Sequence, residues 1–328
     1  MTRAGALHPA GEGPMVAAIT ASELAVMEPK LILPAKFTLQ AKTLATSLFH
    51  REPLPKGQGR VLNQPKYGIF EAYDVAEGIE VDNPQKLSTT NFIVRPQEVA
   101  AQFLLTDLAA RTGGENHLAN AGRILGDAMA KRVDRKGWAV FRDGDGQLAG
   151  DGGPTSFTTH SLGGASTDVT VGHLQAAIAR LEGNEEPTPK PIRAVFRAEQ
   201  LRLILNQITP TAGVITGSGG YGPGANYLGI SEEIVRQYLK HDFKLFGIDG
   251  AFTSPNIERT ADANQTAVGG VFSQESIWYV PADDVNVEKE RRMKARSWLY
   301  QTSHTFGFGI WNEKWGVKMT FKAVDPTS

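Results

Sequence analysis

The sequence predicts a mixed α+β fold that carries a long ribbon, and three features of the chain support this prediction. Residues 53–98 form a polar, turn-rich segment with two candidate strands. A helical pattern of apolar residues follows at 117–137. Near the C-terminus, residues 315–322 alternate between apolar and polar side chains, as a half-buried strand does.

The composition bounds the class of protein. At 328 residues the chain is long enough to bury a sizeable core and, at roughly 100 to 200 residues per domain, to form two domains. No apolar run approaches the roughly 18 residues that span a bilayer, and residues 1–20 lack the apolar stretch of a signal peptide. We therefore expect no membrane association and a chain that stays in the cytoplasm in which it is made.

The residue types also argue against metal and thiol chemistry. The chain has no cysteine, which excludes disulfides, thiolate zinc sites and a cysteine nucleophile. Its seven histidines include no pair at the i, i+3 or i, i+4 spacing of a helical metal site. The formal net charge of −1 differs from the basic balance of proteins whose main task is to grip phosphate backbones. We expect neither a metal nor a cofactor.

The first segment, residues 1–52, is predicted to be an extended arm. Glycine and proline interrupt the stretch from Met1 to Lys30, and no periodic pattern is sustained there. We expect this stretch to be ordered only where a partner holds it. From Leu31 to Phe49 the apolar spacing suits a short helix and a strand equally, so both remain open.

Residues 53–98 are predicted to form a two-stranded ribbon. Its strands are 65–72 and 86–94, with a turn at 78–84 between them. A two-stranded ribbon of this length is marginal in water, so it needs a third surface to lie on. We expect that surface to be another subunit. The ribbon side chains predicted to make the contact are Lys66, Tyr67, Phe70 and Tyr73.

A long amphipathic helix at 117–137 is predicted to be the structural spine. A shorter helix at 96–111 precedes it and is predicted to end at the glycine pair 113–114. Asn116 then caps the spine helix, which would be about 30 Å long at 1.5 Å per residue. Its predicted core face contains Leu118, Leu125 and Met129.

Later segments are predicted to alternate between helices and strands. After a hairpin built on 138–141, Thr170 begins a helix that Gly183 ends. The other predicted elements are a strand at 192–196, helices at 199–206 and 231–241, and strands at 243–248 and 268–280. At the C-terminus, 305–311 and 315–321 are predicted to pair as a hairpin. The core side chains predicted there are Trp315, Val317 and Phe321.

Two glycine-containing motifs resemble ligand sites but lack the required context. Residues 217–222 satisfy G-x-G-x-x-G, yet no helix is predicted before Ser231, whereas a dinucleotide site needs one at once. Residues 143–146 suggest a calcium loop, but Gly152 occupies the position of the bidentate Glu. We interpret the first motif as a loop and the second as a solvated turn.

Residues 288–296 hold the densest run of charges in the chain. The run contains no aromatic platform for bases, which favours a solvated or intersubunit face over a phosphate contact. Its predicted contact residues are Arg291 and Arg292. Asp283 and Asp284, just before it, are interpreted as a strand-to-helix turn. No catalytic set of residues is found along the sequence, which favours a structural protein over an enzyme.

The order of these elements resembles the major capsid proteins of tailed double-stranded DNA phages, which have the Hong Kong 97-like shell fold. The stretches that carry the resemblance are 105–108 with 125–128, 191–196 with 201–205, and 243–248 with 254–256. The resemblance implies an arm at 1–52, an extended two-stranded loop (the E-loop) at 53–98, a peripheral domain with the spine helix at 99–150, an axial domain of mixed sheet and helices at 151–285, and a return to the peripheral domain at 286–328.

The same resemblance implies partners and a location. The chain would assemble with itself into the hexamers and pentamers of an icosahedral virion shell around double-stranded DNA, after synthesis in the host cytoplasm. No long charged coiled coil precedes the arm, so a separate scaffolding protein is expected, together with a portal and a decoration protein. Two alternatives remain open: an encapsulin-like cellular compartment shell, and a soluble nucleotide-dependent enzyme that uses loop 217–222.

Overall fold

The computed structural model describes most of the chain from residue 42 onward. The described residues are 42–55, 61–68, 70, 72, 74, 85–143, 157, 160–208, 247–263 and 265–325, and at 109–119, 143 and 208 the backbone alone is described. The α-helices are α1 (Ala45–Leu48), α2 (Asp107–Asp143), α3 (Val171–Glu182) and α4 (Ala198–Ile208). The strands are β1 (His50–Arg51), β2 (Leu62–Tyr67), β3 (Thr89–Val94), β4 (Gln97–Thr106), β5 (Ser161–Gly163), β6 (Ile192–Phe196), β7 (Gly250–Thr253), β8 (Thr266–Ser273), β9 (Ile277–Arg292), β10 (Ser297–Ile310) and β11 (Gly316–Lys322).

The first sheet has four strands in the order β1-β9-β10-β4. Strands β9 and β10 form a long antiparallel hairpin whose end is the short 3-10 turn Met293–Ala295. Arg296 completes that turn with a left-handed backbone, at a φ of 44°. Strand β4 runs antiparallel to β10 along its whole length and forms one edge of the sheet. Strands β4 and β9 therefore end, and β10 begins, beside the start of α2.

Helix α2 joins the two sheets through its buried face. The ring of Trp138 meets Phe49 edge-on at 5.5 Å, and the ring of Phe141 meets Phe272 of the second sheet at 5.3 Å. Gly137 allows the closest approach, because a Cβ at this position would lie 2.8 Å from the Cβ of Ala45 in α1. The long helix is therefore fixed against α1 and against both sheets.

The second sheet has five strands in the order β5-β11-β8-β6-β7. Helices α3 and α4 contribute Leu174, Leu181 and Ile204 to its core. As predicted, Thr170 caps α3: its Oγ1 accepts a hydrogen bond from the backbone N–H of His173 at 3.3 Å. The predicted strand at 192–196 and the helix at 199–206 are also confirmed, as β6 and α4.

The ribbon is a two-stranded antiparallel sheet made of β2 and β3. Its register runs from the pair Leu62 and Val94 to the pair Tyr67 and Thr89. The prediction of two paired strands is confirmed, although they span Leu62–Tyr67 and Thr89–Val94 rather than 65–72 and 86–94. The predicted turn at 78–84 lies outside the described residues. The domain boundaries expected above remain predictions.

The predicted helix at 96–111 is wrong, because residues 97–106 form strand β4. Side chains four residues apart, such as Val99 and Phe103, share one face in both a helix and a strand, so their spacing does not distinguish the two. The burial pattern alternates along the segment, and Phe103 stacks on Tyr300 of β10 with ring centroids 4.9 Å apart. Leu104 lies on the opposite, exposed face.

The boundaries of the predicted spine helix are also wrong. Helix α2 begins at Asp107, runs through the glycine pair 113–114, and ends at Asp143 rather than at 137. A glycine inside a helix costs about 1 kcal/mol and does not by itself end the helix. The predicted hairpin at 138–141 is therefore the last part of α2, where Trp138 and Phe141 are buried.

The predicted C-terminal hairpin is wrong in its pairing. Strand β10 pairs with β9 and β4, whereas β11 pairs with β8 and β5 in the other sheet. The chain changes sheets at the 3-10 turn Glu313–Trp315, where Asn312 Oδ1 accepts from the N–H of Lys314 at 3.1 Å. Trp315 lies in this turn and is only partly buried, while Val317 and Phe321 of β11 are fully buried.

The remaining predictions fall either on β9 or on residues that the structure does not describe. Asp283 and Asp284 lie within β9 and not in a strand-to-helix turn, so that interpretation is wrong. Tyr73, the side chain of Leu118, and the segments 1–41, 144–150, 217–222 and 231–241 lie outside the described residues. Of the predicted strand at 243–248, only 247 and 248 are described.

Candidate subunit-contact surfaces

Exposed apolar side chains collect on two parts of the described structure. The ribbon surface consists of Val61, Tyr67, Phe70 and Leu87, and the tip surface consists of Leu104, Leu108 and Met293. Together they hold seven of the nine large apolar side chains that are exposed in the described residues, the other two being Ile124 and Val324. Clustered exposed apolar area is typical of protein contact sites.

The base of the ribbon is anchored on its own subunit. Leu62, Phe92 and Val94 form a buried cluster with Val280 of β9. The ring of Phe92 meets Trp278 and Trp311 edge-on, at 5.3 and 5.1 Å. This packing supplies the third surface that an isolated ribbon needs. The expectation that a neighbouring subunit supplies that surface therefore does not hold for the base of the ribbon.

The two ribbon residues Lys66 and Tyr67 point to different environments. Lys66 is half-buried, and its Nζ donates a hydrogen bond to the backbone oxygen of Trp311 at 3.3 Å. Burial lowers the pKa of Lys66, and the nearby Glu186 opposes that shift. Tyr67 is 60% exposed, and Phe70 beyond it is 53% exposed. Lys66 therefore belongs to the anchored base, while Tyr67 and Phe70 are available to a partner.

The tip surface is held in place by a charged pair. Arg291, near the end of β9, binds both carboxylate oxygens of Asp107, the first residue of α2, at 2.5 and 2.7 Å. The hydrogen bond to Asp107 raises the pKa of Arg291. The guanidinium also lies over the ring of Trp298 on the paired strand, 5.0 Å from its centroid. The charged run at 288–296 contains no aromatic residue, but the fold places Trp298 against it.

The remaining residues of the tip lie beside this pair. Arg292 is the last residue of β9 and is exposed, and Met293 follows it at 81% exposure. The backbone N–H of Asp107 donates to the oxygen of Arg296 at 3.0 Å, which closes the turn against the start of α2. The structure therefore brings Arg291 and Arg292 together with Leu108 and Met293 at the same end of the first sheet.

A buried carboxylate, which sequence reasoning missed, fixes the segment that leads out of the arm. Asp134 of α2 accepts hydrogen bonds from the N–H groups of Leu44 and Ala45 and from the amide of Asn256, each at 3.0 Å. It thereby caps α1 from another element. Burial raises the pKa of Asp134, while these hydrogen bonds act in the opposite direction. The sequence signal for this buried group was an aspartate at position 134, four residues from both Ala130 and Trp138 and so on the same apolar face of the helix.

A second buried polar group lies at an irregularity of the first sheet. His304 sits where the pairing of β10 with β9 shifts register. Its Nε2 is 3.0 Å from the hydroxyl of Tyr279, and its Nδ1 is 2.8 Å from the backbone oxygen of Asp283. Because a carbonyl only accepts, Nδ1 carries the proton and Nε2 accepts from the hydroxyl. Burial lowers the pKa of His304 and raises that of Tyr279 to about 12.

The described residues offer no alternative site for metal chemistry. Among them, no group of three or more His, Cys, Asp or Glu side chains could hold a metal ion. None of the helices in the described part of the chain has the length and apolar character needed to span a bilayer.

Comparison with known families decides between the interpretations left open by the sequence. A family model described as phage capsid protein matches residues 92–319. The chain belongs to the phage capsid protein family. This family match favours a phage shell over a cellular compartment shell and over a nucleotide-dependent enzyme. The comparison with curated proteins finds no significant relative.

Solved structures give the same fold for the capsid protein. The chain is similar to the capsid of Ralstonia phage GP4, with a TM-score of 0.61 and 13% identity over 99% of this chain and 100% of that one. It is similar to a Mycobacterium phage Che8 structure, with a TM-score of 0.59 and 16% identity over 84% and 90% of the two chains. It is also similar to the capsid of an empty GTA particle computed with C5 symmetry, with a TM-score of 0.53 and 11% identity over 97% and 96%. The fold is Hong Kong 97-like.

Proposed function

We propose that this phage capsid protein assembles with itself, through the ribbon and tip surfaces, into the hexamers and pentamers of an icosahedral shell. The observation that carries the proposal is the concentration of exposed apolar side chains on these two surfaces. Each surface adjoins a packed part of its own subunit, the Trp278 and Trp311 cluster at the base of the ribbon and the pair of Arg291 with Asp107 at the tip.

In a closed ring, the ribbon surface of one subunit and the tip surface of another would each form part of a subunit contact. In a ring, one patch of each subunit meets a different patch of the next, so a subunit needs at least two contact surfaces. The ribbon and tip surfaces lie on separate sheets of the described structure. The likeness to a capsid described with C5 symmetry supports rings of five.

The shell function requires further partners. We expect a scaffolding protein that directs curvature, a portal through which DNA enters, and a decoration protein on the outer face. Packaged double-stranded DNA is held weakly, because a net charge of −1 leaves no large excess of cations for tight binding. It is held without sequence preference, because contacts to phosphates do not read the bases. Assembly takes place in the host cytoplasm, and the mature protein resides in the virion.

The proposal is tested by expressing the chain with the scaffolding gene of its phage and counting shells by negative-stain microscopy. Tyr67→Ser with Phe70→Ser removes two exposed side chains, so stability should change by no more than about 0.5 kcal/mol. We expect the double variant to melt like the wild type and to form no shells. Val324→Ser, an exposed valine outside both surfaces, is the matched control and should assemble. Normal shells from the double variant would contradict the role of the ribbon surface.

A further inference from the structure

The solvent-facing side of α2 carries a basic stripe, defined here as Lys131, Arg132 and Arg135. All three side chains are exposed, and Lys131 and Arg135 lie one helical turn apart on the same face. Between residues 120 and 142 the helix contains six basic residues and two acidic ones, for a local charge of +4 in a chain whose net charge is −1. The basic charge is therefore concentrated locally.

The stripe lacks counterions in the described part of the chain. No described carboxylate forms an ion pair with Lys131, Arg132 or Arg135. The two acidic residues of this stretch are already engaged, since Asp127 pairs with Lys42 and Asp134 caps α1. Within the described part of the chain, the charge of the basic stripe is therefore not neutralised.

Helix stability does not explain this arrangement. Like charges four residues apart, such as Lys131 with Arg135 and Arg132 with Lys136, destabilise a helix by about 0.2–0.5 kcal/mol per pair. The favourable interaction of cations with the helix dipole is confined to the last turn, which here contains Arg142 but not the stripe. A binding partner of opposite charge would offset the repulsion.

The arm does not supply that opposite charge. Residues 1–41 contain three basic and three acidic residues, namely Arg3, Lys30 and Lys36 with Glu12, Glu23 and Glu28. Taken as a whole, the arm therefore carries no excess of negative charge to set against the +4 of this helix stretch. A partner that is anionic over a distance of several ångströms would supply that charge.

We propose that the basic stripe binds the phosphates of the packaged double-stranded DNA. The inference rests on the proposed shell function and places this face of α2 on the inside of the shell. Lys131 and Arg135 are about 6 Å apart along the helix axis, which corresponds to about two phosphates of one strand at 3.4 Å each. Contacts to two or three phosphates per subunit hold DNA weakly and without regard to sequence, so the DNA can still enter and leave.

The test is a fluorescence titration of a random-sequence DNA duplex with purified full-length subunits at several salt concentrations. Lys131→Gln with Arg135→Gln is compared with Lys190→Gln and Arg202→Gln, an exposed pair elsewhere that removes the same charge. Each lost phosphate contact lowers the slope of log affinity against log salt by about 0.9. We expect the slope to fall by about 2 in the stripe variant and to stay unchanged in the control.

Several outcomes would overturn the proposal. Wild-type subunits that bind no duplex, or equal slopes in the two variants, would remove the stripe as a DNA site. Shell formation is measured in parallel by negative stain. If the stripe variant binds DNA normally but forms no shells, the stripe contacts a neighbouring subunit or an acidic scaffolding protein instead. If wild-type subunits form no shells at all, the proposed function fails, and the titration still reports on the stripe by itself.

Discussion

Arg291 and Asp107 form a two-pronged ion pair that ties the end of β9 to the first residue of α2. The two residues are 184 positions apart in sequence, so the pair fixes the geometry of the tip surface through a long-range contact. Both side chains are about one-third exposed, so solvent screens the pair and weakens its contribution to stability. The pair therefore orients the tip more than it stabilises the fold.

Charge reversal at the tip should therefore affect assembly more than folding. Arg291→Glu with Arg292→Glu is expected to lower the melting temperature of the isolated subunit only modestly. It should reduce shell yield by tenfold or more, because about 1.4 kcal/mol per contact already gives a factor of ten. Thermal melting and negative-stain counts measure the two effects. Unchanged shell yield at several salt concentrations would show that the run is only a solvated face.

The buried face of α2 should not tolerate a charge. Leu125 is 5% exposed and its neighbour Ile124 is 69% exposed, so the two positions form a matched pair. Leu125→Asp should abolish cooperative folding, because burying an unpaired carboxylate costs several kcal/mol, comparable with the stability of a domain. Ile124→Asp should melt within a few degrees of the wild type. Circular dichroism melting distinguishes the two, and a folded Leu125→Asp subunit would show that this face is not packed as described.

The ribbon beyond its base should be dispensable for folding. Replacing Gly68 to Ser88 with an Asn-Gly turn keeps the pair of Tyr67 with Thr89 and the aromatic cluster below it. We expect a soluble subunit with an unchanged melting temperature and no shells. Phe92→Ala, which removes a buried anchor of the base, should instead cost about 3–5 kcal/mol of stability. Loss of folding in the shortened subunit would show that the outer ribbon packs on its own chain.

The buried carboxylate of Asp134 should matter for the segment that follows the arm. Asp134→Ala leaves the N–H groups of Leu44 and Ala45 without their partner, and we expect a loss of about 1–3 kcal/mol. Asp134→Asn keeps an oxygen that can accept from both groups and should lose less. Urea denaturation gives the free energies, and hydrogen exchange at residues 44 and 45 should accelerate in the alanine variant alone. Equal stability of all three proteins would contradict the capping role.

The buried histidine predicts a dependence of stability on pH. Burial holds the pKa of His304 below its ordinary value of 6.5, so as the pH falls the unfolded chain takes up this proton before the folded one does. Stability is then lost as the pH drops from about 6.5 towards the folded pKa, with a slope of at most about 1.4 kcal/mol per pH unit. His304→Gln should remove this part of the slope. Urea midpoints at pH 8, 6.5 and 5 measure it, and parallel curves for the two proteins would contradict the assignment.

Local signals in the sequence predicted some elements well. Thr170 and Gly183 bracket a helix because a capping hydroxyl and a glycine act within a few residues, and α3 occupies the space between them. The paired strands of the ribbon followed from their β-favouring residues and the turn residues between them. The family resemblance rested on the order of such elements, and the match to residues 92–319 confirms it.

The parts that sequence reasoning missed depend on contacts far along the chain. Val99 and Phe103 share a face in a helix and in a strand alike, and only pairing with β10 decides that β4 is a strand. The alternation at 316–322 predicted a strand correctly, but nothing local shows that β11 joins β8 instead of β10. Gly137 resembles a helix end in sequence, yet its role is to let α1 approach α2.

The central claim is that the ribbon and tip surfaces are contacts between subunits of a closed shell. Electron cryomicroscopy of shells formed by the wild-type chain with its scaffolding protein tests this claim most directly. The account predicts icosahedral particles in which Tyr67 and Phe70 of one subunit are buried against a neighbour, and in which Met293 lies at a second contact. Particles in which these side chains face solvent would contradict it, as would a chain that stays monomeric with the scaffolding protein present.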